Sequence, residues 1–296
     1  MMNKKLFFLA ICIIVSNLFT AQELSQKAMS RLQEVSRMNK DTINIKSPET
    51  IFHIGYWTSY FGMDDIGEEL MQYGFHNIKD LKPELIRHSS VQNTKNGYWV
   101  QAIEKLEKAS KLAPETNAYY GWVLLFFYHD YKKSLEKLEE YEDFMGHRPN
   151  LIANGDNFHY LKGINYMQLK HYETAIKEFD WSKKESFEST KKDDFYPYQI
   201  DLYKGRCLEK LERYEDALKS YDQANSIAKV SDNYYYKALL LKKLNRFKEY
   251  KENIKLSYDL MLKKIKNNDN YQVVFDEIYI QDIEKELNEI NSQNNR

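Results

Sequence analysis

One arrangement of residues, stated twice, constrains this chain more than anything else in it. Gly163 is followed twelve residues later by Ala175, then four on by Phe179 and three on by Ser182; Gly205 is followed at the same intervals by Ala217, Tyr221 and Ala224. An aromatic residue precedes each alanine by three, Tyr172 in KHYETAIKEF and Tyr214 in ERYEDALKSY. Two antiparallel helices need this set in order to approach closely. Small residues open the gap, and the large ring, four positions on and so on the same face, fills it. Such a hairpin cannot bury its apolar faces alone, so like hairpins must stack, and the chain is predicted to be a repeat array with a core continuous from unit to unit.

The same spacing recurs in weaker form. Gly55 leads to Gly67, Met71 and Gly74 at twelve, four and three. Trp99, Ala102, Leu106 and Ala109 repeat the later half, with Ser89 and Ser90 where the glycine would fall and Pro114 as the stop. Tyr131, Ser134, Leu138 and Tyr141 follow a very apolar first helix at Asn117 to Tyr128, and Phe247, Tyr250, Ile254 and Ser257 hold the last set. These place five to six hairpins over residues 50–258, clearest at 155–228. A short amphipathic helix and linker precede them (22–49), capping helices follow (259–290), and 291–296 is a polar tail. The charged stretch from Ser182 to Pro197 reads as a helix extension and surface loop. Ten Gly and five Pro in 296 residues suit long helices joined by short turns, and 43% apolar residues suffice for a core.

The first 21 residues have the three parts of a secretory signal: Lys4 and Lys5, an apolar run from Leu6 to Val15, and a small-residue exit at Thr20–Ala21. Ten apolar residues fall short of the roughly 20 that span a bilayer. Cleavage near Ala21 predicts a periplasmic or secreted chain with no stable membrane span. It would remove two lysines and no acid, leaving 41 basic residues against 44 acidic, a net charge of −3. That balance argues against nucleic acid, which calls for a basic stripe. Cys207 would then be the only cysteine, so stability is predicted to come from packing, with Cys207 a buried inert thiol.

The strings YLKGINYMQLKHYETAIKEFDWS and YKGRCLEKLERYEDALKSYDQA resemble tetratricopeptide (TPR) repeats, keeping the glycine, the aromatic–x–x–alanine and the large aromatic of the second helix. YWVQAIEKLEKASKLAP is similar through its second helix and closing proline. The first helices lack the family's tryptophan, and the steps between units are uneven. The resemblance implies an all-α fold, a right-handed superhelical α-solenoid of antiparallel hairpins with N- and C-terminal capping helices. It also implies a concave face, lined by the first helix of each repeat, that holds an extended or helical peptide.

Carried over by pattern, the residues facing that side are Asn157, Tyr160, Ile164, Gln168, Gln199, Leu202, Arg206, Lys210, Tyr235, Leu239 and Lys242. They suit a protein or peptide partner with apolar anchors and some acidic character. Tyr160 and Ile164, then Leu202 and Arg206, stand where the family's carboxylate clamp would need lysine and asparagine, which disfavours that ligand. No phosphate loop, H-E-x-x-H, C-x-x-C or G-x-S-x-G is present, and the seven histidines are scattered. The expectation is therefore a non-enzymatic interaction scaffold of the cell envelope, without metal or cofactor. The alternative expectation is a glycan or small-molecule binder using aromatic pockets near Trp57, Trp99 and Trp122.

Overall fold

The computed structural model describes residues 23–40, 42–191, 196–269 and 271–294; the signal-peptide reading, with its cleavage near Ala21, lies outside them. The chain falls into two compact units, one ending at Ala113 and the other starting at Pro114, a division inside the stretch read above as a single array.

In the first unit α1 (Gln26–Met38) is followed by the hairpins α2/α3 (Pro48–Tyr60, Asp64–Asn77) and α4/α5 (Pro83–Lys95, Trp99–Leu112). Local chemistry sets the starts. Ser25 and Ser47 accept from the backbone N–H three residues on, and Pro48 and Pro83 each open a helix where no N–H is needed. Ala28 and Leu32 of α1 are fully buried against Ile51, Ile54 and Leu70, so α1 covers the first hairpin. A polar group holds α3, α4 and α5 together. Lys105, with no exposed surface, donates to Asn93 Oδ1 at 2.6 Å and lies 3.5 Å from Glu68 Oε1. Asn93 and Gln72 also donate to the Glu68 carboxylate.

In the second unit three hairpins stack in sequence. These are α6/α7 (Asn117–Val123, Tyr131–Met145), α8/α9 (Phe158–Gln168, Tyr172–Thr190) and α10/α11 (Gln199–Lys210, Tyr214–Ile227). A fourth, α12/α13 (Ser231–Lys243, Phe247–Leu262), follows. A two-residue ladder, β1 (Ile152–Ala153) with β2 (Asp156–Asn157), makes the turn into α8. The region read as capping helices contains one described helix, α14 (Ile280–Asn294); the described backbone before it, 263–269 and 271–279, is not helical.

The spacing has the cause proposed for it. A methyl group on Gly163 would stand 2.5 Å from the Phe179 ring, and one on Gly205 2.6 Å from that of Tyr221. Both rings are fully buried, each worth roughly 2–3 kcal/mol of burial. Five of the six described hairpins also turn at the same step. A left-handed residue falls seven positions after the small one: Gly62 after Gly55, Gly97 after Ser90, Lys170 after Gly163, Glu212 after Gly205 and Asn245 after Ala238. The exception explains itself. In α6/α7 the step from Gly121 to Ser134 is thirteen and the left-handed residue, His129, comes eight after Gly121. A π-helical turn at Leu124–Tyr128 absorbs the extra residue. Ser134 still reaches the Gly121 carbonyl at 2.8 Å, and Leu138 still packs on Gly121.

Candidate functional site

The face of the first helices in the second unit carries most of the residues singled out above, and the chain's own C-terminal part lies on it. Tyr198 Oη and Gln199 Nε2 donate to Asn267 Oδ1 at 3.0 and 3.3 Å, and Asn267 N–H donates to Asp232 Oδ2 at 2.7 Å. Further along, Arg206 Nε donates to Asp276 Oδ2 at 2.9 Å while its guanidinium stacks 4.1 Å from the Tyr236 ring centre. Two hydroxyls hold main chain: Tyr203 Oη donates to the Phe275 carbonyl at 3.4 Å and Tyr236 Oη to that of Asp276 at 2.7 Å. Burial raises both phenols well above their usual range, so both are protonated donors at neutral pH.

The Phe275 ring, 7% exposed, sits among Phe126, His129 and Tyr131, with centroids 5.7 to 6.3 Å away. Tyr271 stacks on Trp122 at 5.9 Å. Beyond it, α14 packs on α13, with Ile283 and Ile290 buried. Its Glu286 accepts from Lys242 and Tyr250, each at 2.7 Å, and Glu289 accepts from Lys242 at 2.5 Å.

Asp232 is the odd group. Burial pushes its carboxyl up to about 6, and while Oδ2 takes the Asn267 N–H, the buried Oδ1 has no hydrogen-bond partner among the described residues. The Cys207 thiol is fully buried and pushed up to about 12 by that burial, which makes it unreactive at neutral pH.

No family model matches this sequence, and no curated protein does. Among solved structures, the C-terminal part of a TPR repeat-containing protein from Cytophaga hutchinsonii matches 79% of this chain and 90% of its own at 14% identity, with a TM-score of 0.56. The chain has the tetratricopeptide-repeat fold. PilW, described as a widely conserved type IV pilus biogenesis factor, matches 80% of this chain and 95% of its own at 13% identity, with a TM-score of 0.51. The TPR hairpins thus account for the architecture of the helices described above.

Placed on the TPR framework, the residues picked from sequence divide into four groups. Gln199, Arg206 and Lys242 bind the C-terminal part, as above. Tyr160, Ile164 and Leu202 are buried, at 9%, 0% and 1% exposure, and are packing residues instead of open contacts. Asn157 caps α8, accepting from Tyr160 N–H and donating to Glu185. Tyr235 and Leu239 are half-buried, Gln168 is half-buried at the end of α8, and Lys210 is exposed at the end of α10.

Sequence reading missed Tyr198, Tyr203 and Tyr236, each one position off the transferred pattern, missed Asp232, three before Tyr235, and missed the C-terminal occupant altogether. Of the three aromatic pockets, that at Trp122 is closed: the indole is 5% exposed, donates to Asp156 Oδ2 at 3.0 Å and lies under Tyr271. Trp57, half exposed, borders a cavity of about 410 Å³ with Arg31, His53 and Phe61 in the first unit. Trp99 is 44% exposed. Among the described residues no group of His, Cys, Asp and Glu is arranged to hold a metal ion, and no helix is long and apolar enough to cross a membrane.

Proposed function

We propose that this chain is a non-enzymatic scaffold of the cell envelope, exported and cleaved near Ala21, that holds a protein or peptide partner on the inner face of its second-unit repeats. One observation carries the reading. That face already holds a non-helical stretch of the chain's own polypeptide, turning at Phe275–Asp276, through hydroxyls on its carbonyls, a guanidinium on its carboxylate and a ring in an apolar recess. A net charge of −3 after cleavage favours a protein over nucleic acid as the partner. Photoreactive residues at Gln168, Lys210 and Tyr235 in intact cells should trap one and the same protein, and one at Lys219 on α11 should not. Equal capture from Lys219, or none from the three, would end the reading. Loss of residues 1–21 from the mature chain, read by its mass, tests export.

The cavity beside Trp57 favours a second reading, the binding of a small molecule or glycan in the first unit. A half-exposed indole beside a guanidinium and an imidazole is a surface on which a sugar ring can stack. Oligosaccharide should then quench tryptophan fluorescence, and Trp57→Phe should abolish the quenching. Quenching unchanged by that substitution rules the cavity out.

A further inference from the structure

We propose that Tyr271–Tyr279 is a resident ligand of the second-unit groove, displaced by a partner peptide that likewise presents an aromatic residue followed directly by a carboxylate. This rests on the scaffold reading and names the partner's chemistry.

The contacts divide as peptide recognition divides. Tyr203 and Tyr236 bind the carbonyls of Phe275 and Asp276, main-chain groups that any polypeptide offers, presented here on a turn in which Asp276 is left-handed (φ 55°). Selectivity is left to two neighbouring side chains: Phe275 in the recess of Phe126, His129 and Tyr131, and Asp276 on Arg206. The stretch is otherwise poorly suited to be a permanent cover. Phe275 and Ile278 are buried and Tyr271 stacks on Trp122, but Tyr271, Val273 and Tyr279 remain 42%, 42% and 56% exposed, so the stretch is seated at separate points with exposed residues between them. Arg206 also has a second acid in reach, Glu209 at 3.5 Å, so its charge stays compensated when Asp276 leaves. Tethering gives the resident segment an effective concentration of order millimolar, which a partner has to overcome and which any weakening of the segment relieves.

The probe is a labelled nonapeptide with the sequence of residues 271–279, YQVVFDEIY, titrated into the full chain by fluorescence anisotropy. The chain carrying Phe275→Ala with Asp276→Ala is expected to bind it about tenfold or more tightly than the unaltered chain. A control peptide with both residues changed to alanine should not bind, and adding Arg206→Ala to the doubly altered chain should cost about tenfold. Equal binding by the two chains, no binding by a doubly altered chain that keeps its helicity, or equal binding of the control peptide would overturn the proposal.

If the doubly altered chain loses its helicity, hydrogen exchange on the unaltered protein decides. Amides of 271–279 and α14 should exchange at least about a hundredfold faster than those of α8 and α10. Exchange in step with α10 means a fixed cap and overturns the proposal. A partner trapped from Gln168 and Lys210 while 271–279 stays as protected as α10 would leave the scaffold standing and remove only this displacement. A groove that takes the nonapeptide while no partner is trapped would remove the scaffold and keep the displacement.

Discussion

Hairpins α2/α3 and α8/α9 share one spacing and close in different ways. In the first, a methyl on Gly67 would stand 2.4 Å from the Ser59 nitrogen and one on Gly55 2.6 Å from that of Met71, so backbone meets backbone. In the second, Gly163 meets the edge of the Phe179 ring. The first unit gains close approach and fills the remaining space with a buried Lys105–Glu68–Asn93 group; the second fills it with aromatic rings. One twelve-residue rule therefore fixes where two helices touch and leaves open what they touch with. The first arrangement tolerates change poorly, because neither main chain nor a buried charge can swing aside.

The largest effect should follow from breaking the buried group. Lys105→Ala leaves the Glu68 carboxylate, 5% exposed, without its cation and is expected to destabilise the first unit by about 3–5 kcal/mol. Lys105→Met with Glu68→Gln should recover most of that loss. Urea unfolding followed through Trp57 and Trp99, with the other tryptophans changed to Phe, measures both; a loss below 1 kcal/mol for Lys105→Ala would mean that water reaches the carboxylate. Next in size is Gly67→Ala, expected to cost roughly 3 kcal/mol in the same measurement, because the clash is with Ser59 main chain and the helices have to part.

A third test concerns the second unit and depends on pH. The folded carboxyl of Asp232, raised to about 6 by burial, holds a proton that the unfolded chain releases down to about pH 4. Its burial penalty is therefore complete above pH 6 and is relieved as pH falls from 6 towards 4. Asp232→Asn keeps an acceptor for the Asn267 N–H and should stabilise the second unit by about 2 kcal/mol at pH 7 and by little at pH 4. A gain that is the same at both pH values would show that the carboxyl titrates normally.

How much of this was legible in sequence follows from how local each cause is. The hairpins at Gly163 and Gly205 could be read because helix geometry fixes the offsets of small and large residues on a single face. Gly121 could not be placed, since the π turn lengthens its step by one and nothing in LLFFY announces such a turn. Lys170 and Glu212 take left-handed backbone because their position in the turn demands it, although neither residue type marks it. Lys105, between Glu104 and Glu107, reads as a surface lysine; only Asn93 and Glu68, brought in by two other helices, make it an interior one. Gln199, Arg206 and Lys242, picked by pattern, meet the C-terminal part, while Tyr198, Tyr203 and Tyr236 beside the picked positions were passed over. Their occupant was invisible, because Arg206 and Asp276 meet across seventy residues with no periodicity to link them.

The smallest expected effect sharpens the comparison most. Gly163→Ala, in the interior of α8, gains about 1 kcal/mol of helix propensity, as Gly67→Ala does in α3. Its methyl would meet the Phe179 ring at 2.5 Å, a contact that rotation of one side chain can relieve, at a repacking cost of about 2 kcal/mol because the ring is fully buried. The net loss should be about 1 kcal/mol, and pairing it with Phe179→Leu should return part of it by making room. Gly67→Ala has no such partner, since no side-chain change shortens Ser59 main chain. Unfolding of the single and paired variants, followed through Trp122 and Trp181, checks this. If Gly163→Ala proves as damaging as Gly67→Ala and Phe179→Leu rescues nothing, the ring is as immovable as backbone and the two seams are mechanically alike.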